Sequence, residues 1–179
     1  MTTPTAAPSR RRTGQRRRST KETSIEIDID LDGTGVTDIS TGIPFYDHML
    51  DQIGRHGGFD LRVHAVGDLH IDTHHTVEDV AIALGEAFAE ALGDKAGVRR
   101  FASGRYPLDE ALIDVALDLS GRPWVEWHVP MPESLALGHP AFDPQLAEHA
   151  VASFATAANI TLHVELVRGH VHDRRDRGR

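Results

Sequence analysis

The chain has 179 residues, of which 40% are hydrophobic and 26% are charged, ordinary values for a soluble globular protein. It has no cysteine, which excludes disulfides and thiolate chemistry. No apolar run approaches the roughly 20 residues of a membrane span, and the N-terminus lacks the apolar segment of a secretory signal. Twelve histidines are many for this length, and they are the first indication of function.

The net charge of −8 is distributed unevenly along the chain. Residues 1–21 carry seven basic side chains and no acidic one, residues 22–167 carry 7 basic against 25 acidic, and residues 168–179 carry five arginines against two aspartates. An acidic body argues against a nucleic-acid groove. A short arm of uniform charge is typical of a solvated tail, so residues 1–18 are predicted to be disordered and dispensable. Two alternatives stay open for this arm: contact with nucleic acid or an acidic partner, and a transit peptide.

The first half of the chain predicts three strands and two helices. The stretch TSIEIDIDLDG alternates apolar and acidic side chains, as a half-buried strand does, and Asp32-Gly33 predicts a hairpin turn from which GVTDIS returns as a second strand. PFYDHMLDQIGRHGG predicts a helix that begins after Pro44 and ends at Gly57-Gly58. FDLRVHAVG alternates as a strand. HHTVEDVAIALGEAFAEALG then has apolar residues at helical spacing, with Gly93 at its end.

The second half predicts the same order of elements. DEALIDVALDLSGRPWVEWHV indicates two strands around Ser120-Gly121, PMPESLALGHPAFDP a loop, QLAEHAVASFATAAN a helix and ITLHVELV a strand. The repeated order predicts two similar half-domains, residues 19–100 and residues 101–167, with the last helix missing from the second.

The stretch HHTVED places two imidazoles and a carboxylate at the head of the second helix. His75 and Glu78 are three residues apart, and His74 and Glu78 are four apart, so either pair can share a helix face. His74 and His75 point about 100° apart around the axis and would serve different ions. Imidazole with carboxylate suits Mn, Fe, Ni or Zn. The alternative is a polar helix start, capped by Thr76 or Asp72.

Two further histidines and a few arginines extend this pattern. His48 and His149 lie at corresponding places on helices of the two halves; either alone is typical of a core histidine, but together with the HHxxE motif they predict metal binding. In a body with few basic residues, Arg99-Arg100 and Arg122 are candidates for binding phosphate. Their alternative role is that of surface charges or partners of a helix C-terminus.

Six blocks of sequence, in their order and spacing, resemble the imidazoleglycerol-phosphate dehydratase family from about residue 16 to residue 165. They are TGIPFYDHMLDQIGRHGGFDL, GDLHIDTHHTVEDVAIALGEA, ALGDKAGVRRF, PLDEAL, DLSGRP and EHAVASFATAANITLHV. The resemblance implies an α+β fold of two similar halves, each a mixed or antiparallel sheet with helices on one face, as in the second domain of ribosomal protein S5. It also implies a cytoplasmic hydro-lyase of histidine biosynthesis that converts imidazole glycerol phosphate to imidazole acetol phosphate.

The resemblance implies two Mn²⁺ ions per subunit, which hold the substrate imidazole as an imidazolate. The metal ligands would form two sets: His48, His75 and Glu78 for one ion, and His74 and His149 for the other. Glu22 matches an acid near the substrate and is a candidate for proton transfer, and Arg100 and Arg122 would bind the phosphate. Seven of these residues, all except His149, would contact substrate. The assembly would be a homo-oligomeric cage with its sites between subunits, and its partner a small phosphorylated imidazole, with no nucleic acid or membrane.

The resemblance breaks near the end of the chain. The family has a second HHxxE motif on a final helix after the TLHV strand, whereas here the Arg-rich residues 168–179 follow, with His172-Asp173 as the nearest remnant. This pattern predicts a C-terminally curtailed or frameshifted copy that holds at most about one Mn²⁺ ion. It also predicts that this chain does not dehydrate imidazole glycerol phosphate, and the alternative to an enzyme of the family is an inactive metal-binding or assembly paralogue.

A missing final helix also has a consequence for the second sheet. Residues such as Leu162, Val164 and Leu166, or their alternate neighbours, would be left exposed as an apolar patch. The sequence therefore predicts poor stability or aggregation.

Overall fold

The computed structural model describes residues 11–131 and 136–169. The described residues form eight strands and three helices, in the order β1 (Thr13–Ser19), β2 (Thr23–Asp30), β3 (Thr37–Ser40), α1 (Pro44–Gly57), β4 (Asp60–Gly67), α2 (His74–Leu92), β5 (Phe101–Leu108), β6 (Ala111–Asp118), β7 (Trp124–His128), α3 (Gln145–Ala158) and β8 (Thr161–Arg168). None of these helices is both long enough and apolar enough to span a membrane. Residues 1–10 and 170–179 lie outside the described residues, and the second of these ranges includes most of the Arg-rich C-terminal end with His172-Asp173.

The two halves have the same sheet topology. The strand orders are β1-β2-β4-β3 and β5-β6-β8-β7. In each sheet the first three strands are antiparallel, and the last pair, β3–β4 or β7–β8, is parallel. The predicted α+β fold of two similar half-domains is confirmed.

The predicted hairpin at Asp32-Gly33 is wrong. β3 pairs in parallel with β4, with Ile39 opposite Val63, and β4 separates it from β2. The Asp60 carboxylate at the start of β4 accepts hydrogen bonds from the backbone N–H groups of Thr34 and Val36 at 2.8 and 3.0 Å. These two hydrogen bonds hold the connection between β2 and β3 against the start of β4, so the chain does not turn back to pair with β2. In the second half, β7 likewise pairs with β8 and not with β6.

The sequence prediction missed the first strand of each sheet, β1 and β5, which lie at sheet edges. β1 pairs with β2 in antiparallel register, so the predicted disordered arm of residues 1–18 is wrong for residues 13–18. A Cβ at Gly14 would lie 1.9 Å from the carbonyl oxygen of Ala87, so only glycine lets this strand pack so closely on α2. Arg16 on the same strand forms ion pairs with Glu86 and Glu90 of α2 at 3.2 and 2.5 Å. This part of the basic segment is therefore a strand of the fold, and its arginine forms ion pairs with acidic side chains of α2.

Two truncations would test the role of β1. Removing residues 1–19 is expected to lower the free energy of unfolding by at least about 3 kcal/mol, because several ladder hydrogen bonds of about 1 kcal/mol each are lost together with the packing on α2. Removing only residues 1–10 is expected to leave stability unchanged, as the sequence predicts for this end. Urea unfolding followed by circular dichroism measures both. Equal midpoints for the two truncated chains would contradict the structural role of β1.

The main hydrophobic core lies in the first half. Ile25, Ile27 and Ile29 of β2 are buried in one cluster with residues of α1 and α2. α2 lies over β1 and β2 and also packs on α3, which links the two halves. The second half has a smaller fully buried cluster, of Ala155, Ala158 and Ile160.

The second sheet has less helix packed on it than the first, and its exposed apolar surface lies only partly where it was predicted. Val167, an alternate neighbour of the three predicted residues on β8, is 37% exposed. Leu162, Val164 and Leu166 are partly buried. Tyr106 and Leu108 of β5 are instead 61% and 67% exposed. α3 packs on β7, whereas within the described residues no helix packs on β5 as α2 packs on β1. Aggregation through this sheet stays a prediction.

Candidate metal centre

The end of β4 and the first turn of α2 lie very close together. A Cβ at Gly67 would be 2.0 Å from the Thr76 Oγ1 atom, so glycine is required at this contact. Asp72 accepts the backbone N–H of His74 at 2.8 Å, as predicted for a capping residue, whereas the buried Thr76 hydroxyl has no hydrogen-bond partner within residues 11–131 and 136–169. The Thr73 hydroxyl donates to the carbonyl oxygen of Ala141 at 2.9 Å, which ties the start of α2 to the loop before α3.

Three potential metal ligands from the two halves meet above the contact of α2 with α3. His74 Nε2 and His149 Nε2 are 3.1 Å apart. The Glu78 carboxylate lies 3.7 Å from His74 Nε2 and 3.4 Å from His149 Nε2. Within the described part of the chain, this is the only group of three or more histidine or acidic side chains whose ligand atoms all lie within 4.8 Å of one another.

The spacing of these three side chains fits a metal ion. Ligand atoms bound at about 2.1 Å to one ion lie about 3.0 to 3.4 Å apart, for right-angled and tetrahedral arrangements respectively. The observed separations of 3.1, 3.4 and 3.7 Å are close to this range. A hydrogen bond between the two imidazoles would explain the 3.1 Å separation of His74 from His149. It would not explain why the Glu78 carboxylate faces both rings.

The grouping differs from the one that the resemblance implies. Glu78 lies with His74 and His149, not with His48 and His75. His48 is exposed on α1 and has no hydrogen bond or ion pair within the described residues. The reason is the position of α3, because helix spacing lets Glu78 share a face with either His74 or His75, and α3 meets the face that carries His74.

His75 lies on another face of the α2 terminus and contacts Asp68. Its Nδ1 atom is 3.0 Å from Asp68 Oδ2. This hydrogen bond raises the pKa of His75 above its ordinary value. The negative charges of Asp72 and Glu22 raise the same pKa further, so Glu22 lies within electrostatic range of the ring.

The pKa of His75 is open to a direct test in metal-free protein. Its NMR titration midpoint is expected above the ordinary value of about 6.5 and should fall in Asp68→Asn, which removes the charged acceptor. Because the folded-state pKa is raised, the contribution to stability is complete below the ordinary pKa and is lost as pH rises through the folded-state pKa. A midpoint at or below the ordinary value would contradict the observed contact.

Glu22 is exposed on the turn between β1 and β2, and Asp79 anchors that turn to α2. The Asp79 carboxylate accepts hydrogen bonds from Thr23 Oγ1 at 2.5 Å and Arg18 Nε at 3.0 Å. The Thr20 hydroxyl in turn accepts the backbone N–H of Glu22 at 3.1 Å. The predicted proton-transfer residue is therefore held beside the helix that carries the metal ligands.

The two predicted phosphate-binding arginines lie together at the end of β6. Arg100 Nε and Nη2 donate to the two oxygens of Asp118 at 2.6 and 2.9 Å, and Arg122 Nη2 lies 3.9 Å from the same carboxylate. The hydrogen bond from Arg100 holds the pKa of Asp118 below its ordinary value. In the described single chain, neither arginine forms a hydrogen bond or ion pair with the histidine cluster.

The sequence prediction did not assign roles to Asp68 and Asp79. The available signal was the presence of three aspartates, Asp68, Asp72 and Asp79, around the HHxxE motif. An open groove of about 800 Å³ adjoins the cluster, and its lining includes His149, Trp127 and His128. A small polar ligand could reach His149 through this groove.

The family model for imidazoleglycerol-phosphate dehydratase matches residues 41–175, which is most of the chain. The chain belongs to the imidazoleglycerol-phosphate dehydratase family. A family member from Salinispora arenicola is 55% identical over 157 residues, which cover 88% of this chain and 76% of that protein. A family member from Thermobifida fusca is 51% identical over 160 residues, with coverage of 89% and 81%.

Two crystal structures of imidazoleglycerol-phosphate dehydratases share the fold. The enzyme from Staphylococcus aureus superposes with a TM-score of 0.76 at 31% identity, covering 88% of this chain and 85% of that one. The enzyme from Pyrococcus furiosus, crystallised with (S)-C348, gives a TM-score of 0.70 at 32% identity, with coverage of 87% and 81%.

Proposed function

We propose that this protein is a hydro-lyase of histidine biosynthesis that dehydrates imidazole glycerol phosphate with the help of a divalent metal ion. The observation that carries the proposal is the meeting of His74, Glu78 and His149 at ion-binding distances in a chain of this family. The substrate is a small molecule, which suits the open groove beside His149. The curated relatives at 51 to 55% identity are named as the dehydratase, which favours the enzyme over a non-catalytic paralogue.

The reaction removes a hydroxyl group from the carbon next to the imidazole ring and a proton from the following carbon. No carbonyl makes that proton acidic, so the ring, as an imidazolate, must donate electrons as the hydroxide leaves with the C–O bonding pair. Loss of the proton from the following carbon then gives an enol, which tautomerises to the ketone of imidazole acetol phosphate. A divalent ion would act as a Lewis acid that stabilises the imidazolate form of the ring. His74, Glu78 and His149 would hold such an ion, and the carboxylate would offset its charge.

Further residues would orient the substrate and move its protons. Glu22 lies on an anchored turn within electrostatic range of His75, which suits a proton-transfer group. His48 and His75 would contribute to a second ion. Arg100 and Arg122 would bind the phosphate, since planar guanidinium groups match its oxygens. Asp118 holds Arg100 in place by accepting a hydrogen bond from its guanidinium group.

We also propose that the ion is Mn²⁺ and that the active form is a cytoplasmic homo-oligomer with its sites between subunits. Imidazole and carboxylate ligands suit Mn²⁺. Among the described residues, the arginine pair and His48 form no hydrogen bond or ion pair with the His74 cluster, which supports a site completed by groups from neighbouring subunits. A site at a subunit boundary would bring the separate groups to one substrate.

A turnover assay with defined metal content tests the proposal. The full chain, stripped with a chelator and reloaded with Mn²⁺, is expected to form imidazole acetol phosphate, and the stripped chain is expected to be inactive. Metal analysis after gel filtration gives the number of ions per chain. A chain that binds metal and does not turn over would overturn the catalytic proposal in favour of the non-catalytic paralogue.

A further inference from the structure

We propose that Asp68 is a positioning residue: its carboxylate fixes the His75 ring so that only Nε2 is presented to a metal ion. This inference rests on the proposed function, because only there is His75 a metal ligand. Asp68 directly follows β4, and it is not one of the ligands that the family resemblance implies.

The hydrogen bond determines which nitrogen of His75 is free. His75 Nδ1 lies 3.0 Å from Asp68 Oδ2, and the Asp68 side chain is only 10% exposed. An ionised carboxylate can only accept a hydrogen bond, so the hydrogen must lie on Nδ1. A neutral imidazole in that tautomer has its lone pair on Nε2, which is therefore the atom available to an ion.

Two local contacts hold Asp68 beside the His75 ring. The backbone N–H of Ile71 donates to the carbonyl oxygen of Asp68 at 2.7 Å, which closes a tight turn before α2. The close approach of Gly67 to Thr76 fixes the distance between this turn and the helix. The Asp68 carboxylate therefore reaches His75 from a turn that this hydrogen bond and this close contact hold against α2.

The surroundings of Asp68 do not suit a residue that serves stability alone. Its Oδ1 atom is buried and has no hydrogen-bond partner within the described residues. Burying a carboxylate with one oxygen unpaired is unfavourable for folding. Asp72, four residues later, differs because it is exposed and accepts a backbone N–H at the helix start. This contrast makes Asp72 a matched control for the loss of one nearby negative charge.

The test compares Asp68→Asn with Asp72→Asn in the full chain. Nitrogen-15 NMR of the metal-free wild type should show His75 with its hydrogen on Nδ1, and the signal is assigned by its loss in His75→Gln. In Asp68→Asn the two tautomers should mix, because an amide can either accept from or donate to Nδ1. Mn²⁺ affinity at the His75 site should fall by about 10- to 100-fold, the usual effect of removing such a partner. Asp72→Asn should keep the wild-type tautomer and affinity.

The outcomes separate this inference from the proposed function. A wild-type His75 with its hydrogen on Nε2, or an Asp68→Asn variant with unchanged tautomer and Mn²⁺ affinity, would overturn the role of Asp68 and leave the dehydratase function standing. A wild type that neither binds Mn²⁺ nor turns over would overturn the proposed function and with it the metal-positioning role of Asp68, whatever its NMR spectrum shows about the nitrogen of His75 that carries the hydrogen. If the wild type binds Mn²⁺ but Asp68→Asn does not fold, the wild-type spectrum alone decides the role of Asp68.

Discussion

Replacing Glu78 with glutamine is expected to weaken divalent metal binding and turnover by at least about 100-fold, since loss of a direct ligand should cost no less than loss of an outer partner. Glutamine keeps the size of the side chain but removes the only negative charge among the three clustered ligands. His74 and His149, the two imidazoles that remain, lie on separate helices and cannot offset the charge of the ion. Calorimetric titration with Mn²⁺ measures the loss.

Glu86→Gln provides the matched control for Glu78→Gln. Glu86 lies two turns further along α2 and forms an ion pair with Arg16 at 3.2 Å, away from the histidines. An exposed pair of this kind contributes about 1 kcal/mol or less, so the control should bind metal like the wild type. Equal Mn²⁺ affinities of Glu78→Gln and the wild type would show that the cluster is not the metal site.

Replacing Gly85 with valine is expected to destabilise the protein by about 3 kcal/mol, the upper part of the usual range for overpacking. A Cβ at this position would lie 2.5 Å from the backbone carbonyl oxygen of Phe154, so α2 and α3 would have to separate. Metal affinity should fall as well, because that separation moves His149 away from His74 and Glu78.

The adjacent replacement Glu86→Val separates packing from helix propensity. It places the same β-branched side chain on the partly exposed side of α2, where the propensity cost is well under 1 kcal/mol. Thermal unfolding and Mn²⁺ titration of both variants measure the two effects. A Gly85→Val protein with the stability and metal affinity of Glu86→Val would mean that the close helix contact does not position the site.

The helices could be predicted from the sequence because each has a strong local signal. α1 begins at Pro44 and ends at Gly57, and α2 ends before Gly93, as the apolar spacing and the terminal residues indicated. β1 has no such signal, since its buried face consists of a glycine and of arginines paired with acidic groups. The parallel pairing of β3 with β4 depends on Asp60, which is distant in the sequence, and no local pattern indicates it.

The three side chains that meet in the candidate site are among those singled out from the sequence, but their grouping could not be predicted. Spacing along α2 allows Glu78 to share a face with either histidine, so sequence alone leaves both combinations open. The choice depends on where α3 crosses α2, and Gly85 permits that crossing without any periodic signal. Asp68 reaches His75 for a similar reason, because the small Gly67 lets the end of β4 approach the start of α2 closely, and no periodic pattern indicates this contact.

The three clustered ligands come from two different half-domains, and this has a thermodynamic consequence. An ion held by α2 and α3 binds only when the halves have their native orientation, so its binding free energy adds to the stability of that orientation. At a free ion concentration of 100 times the dissociation constant the gain is about 2.7 kcal/mol. Chelation should therefore loosen the second half, with its small buried cluster, before the first. Metal supply would thus set not only catalytic competence but also how far the protein resists proteolysis.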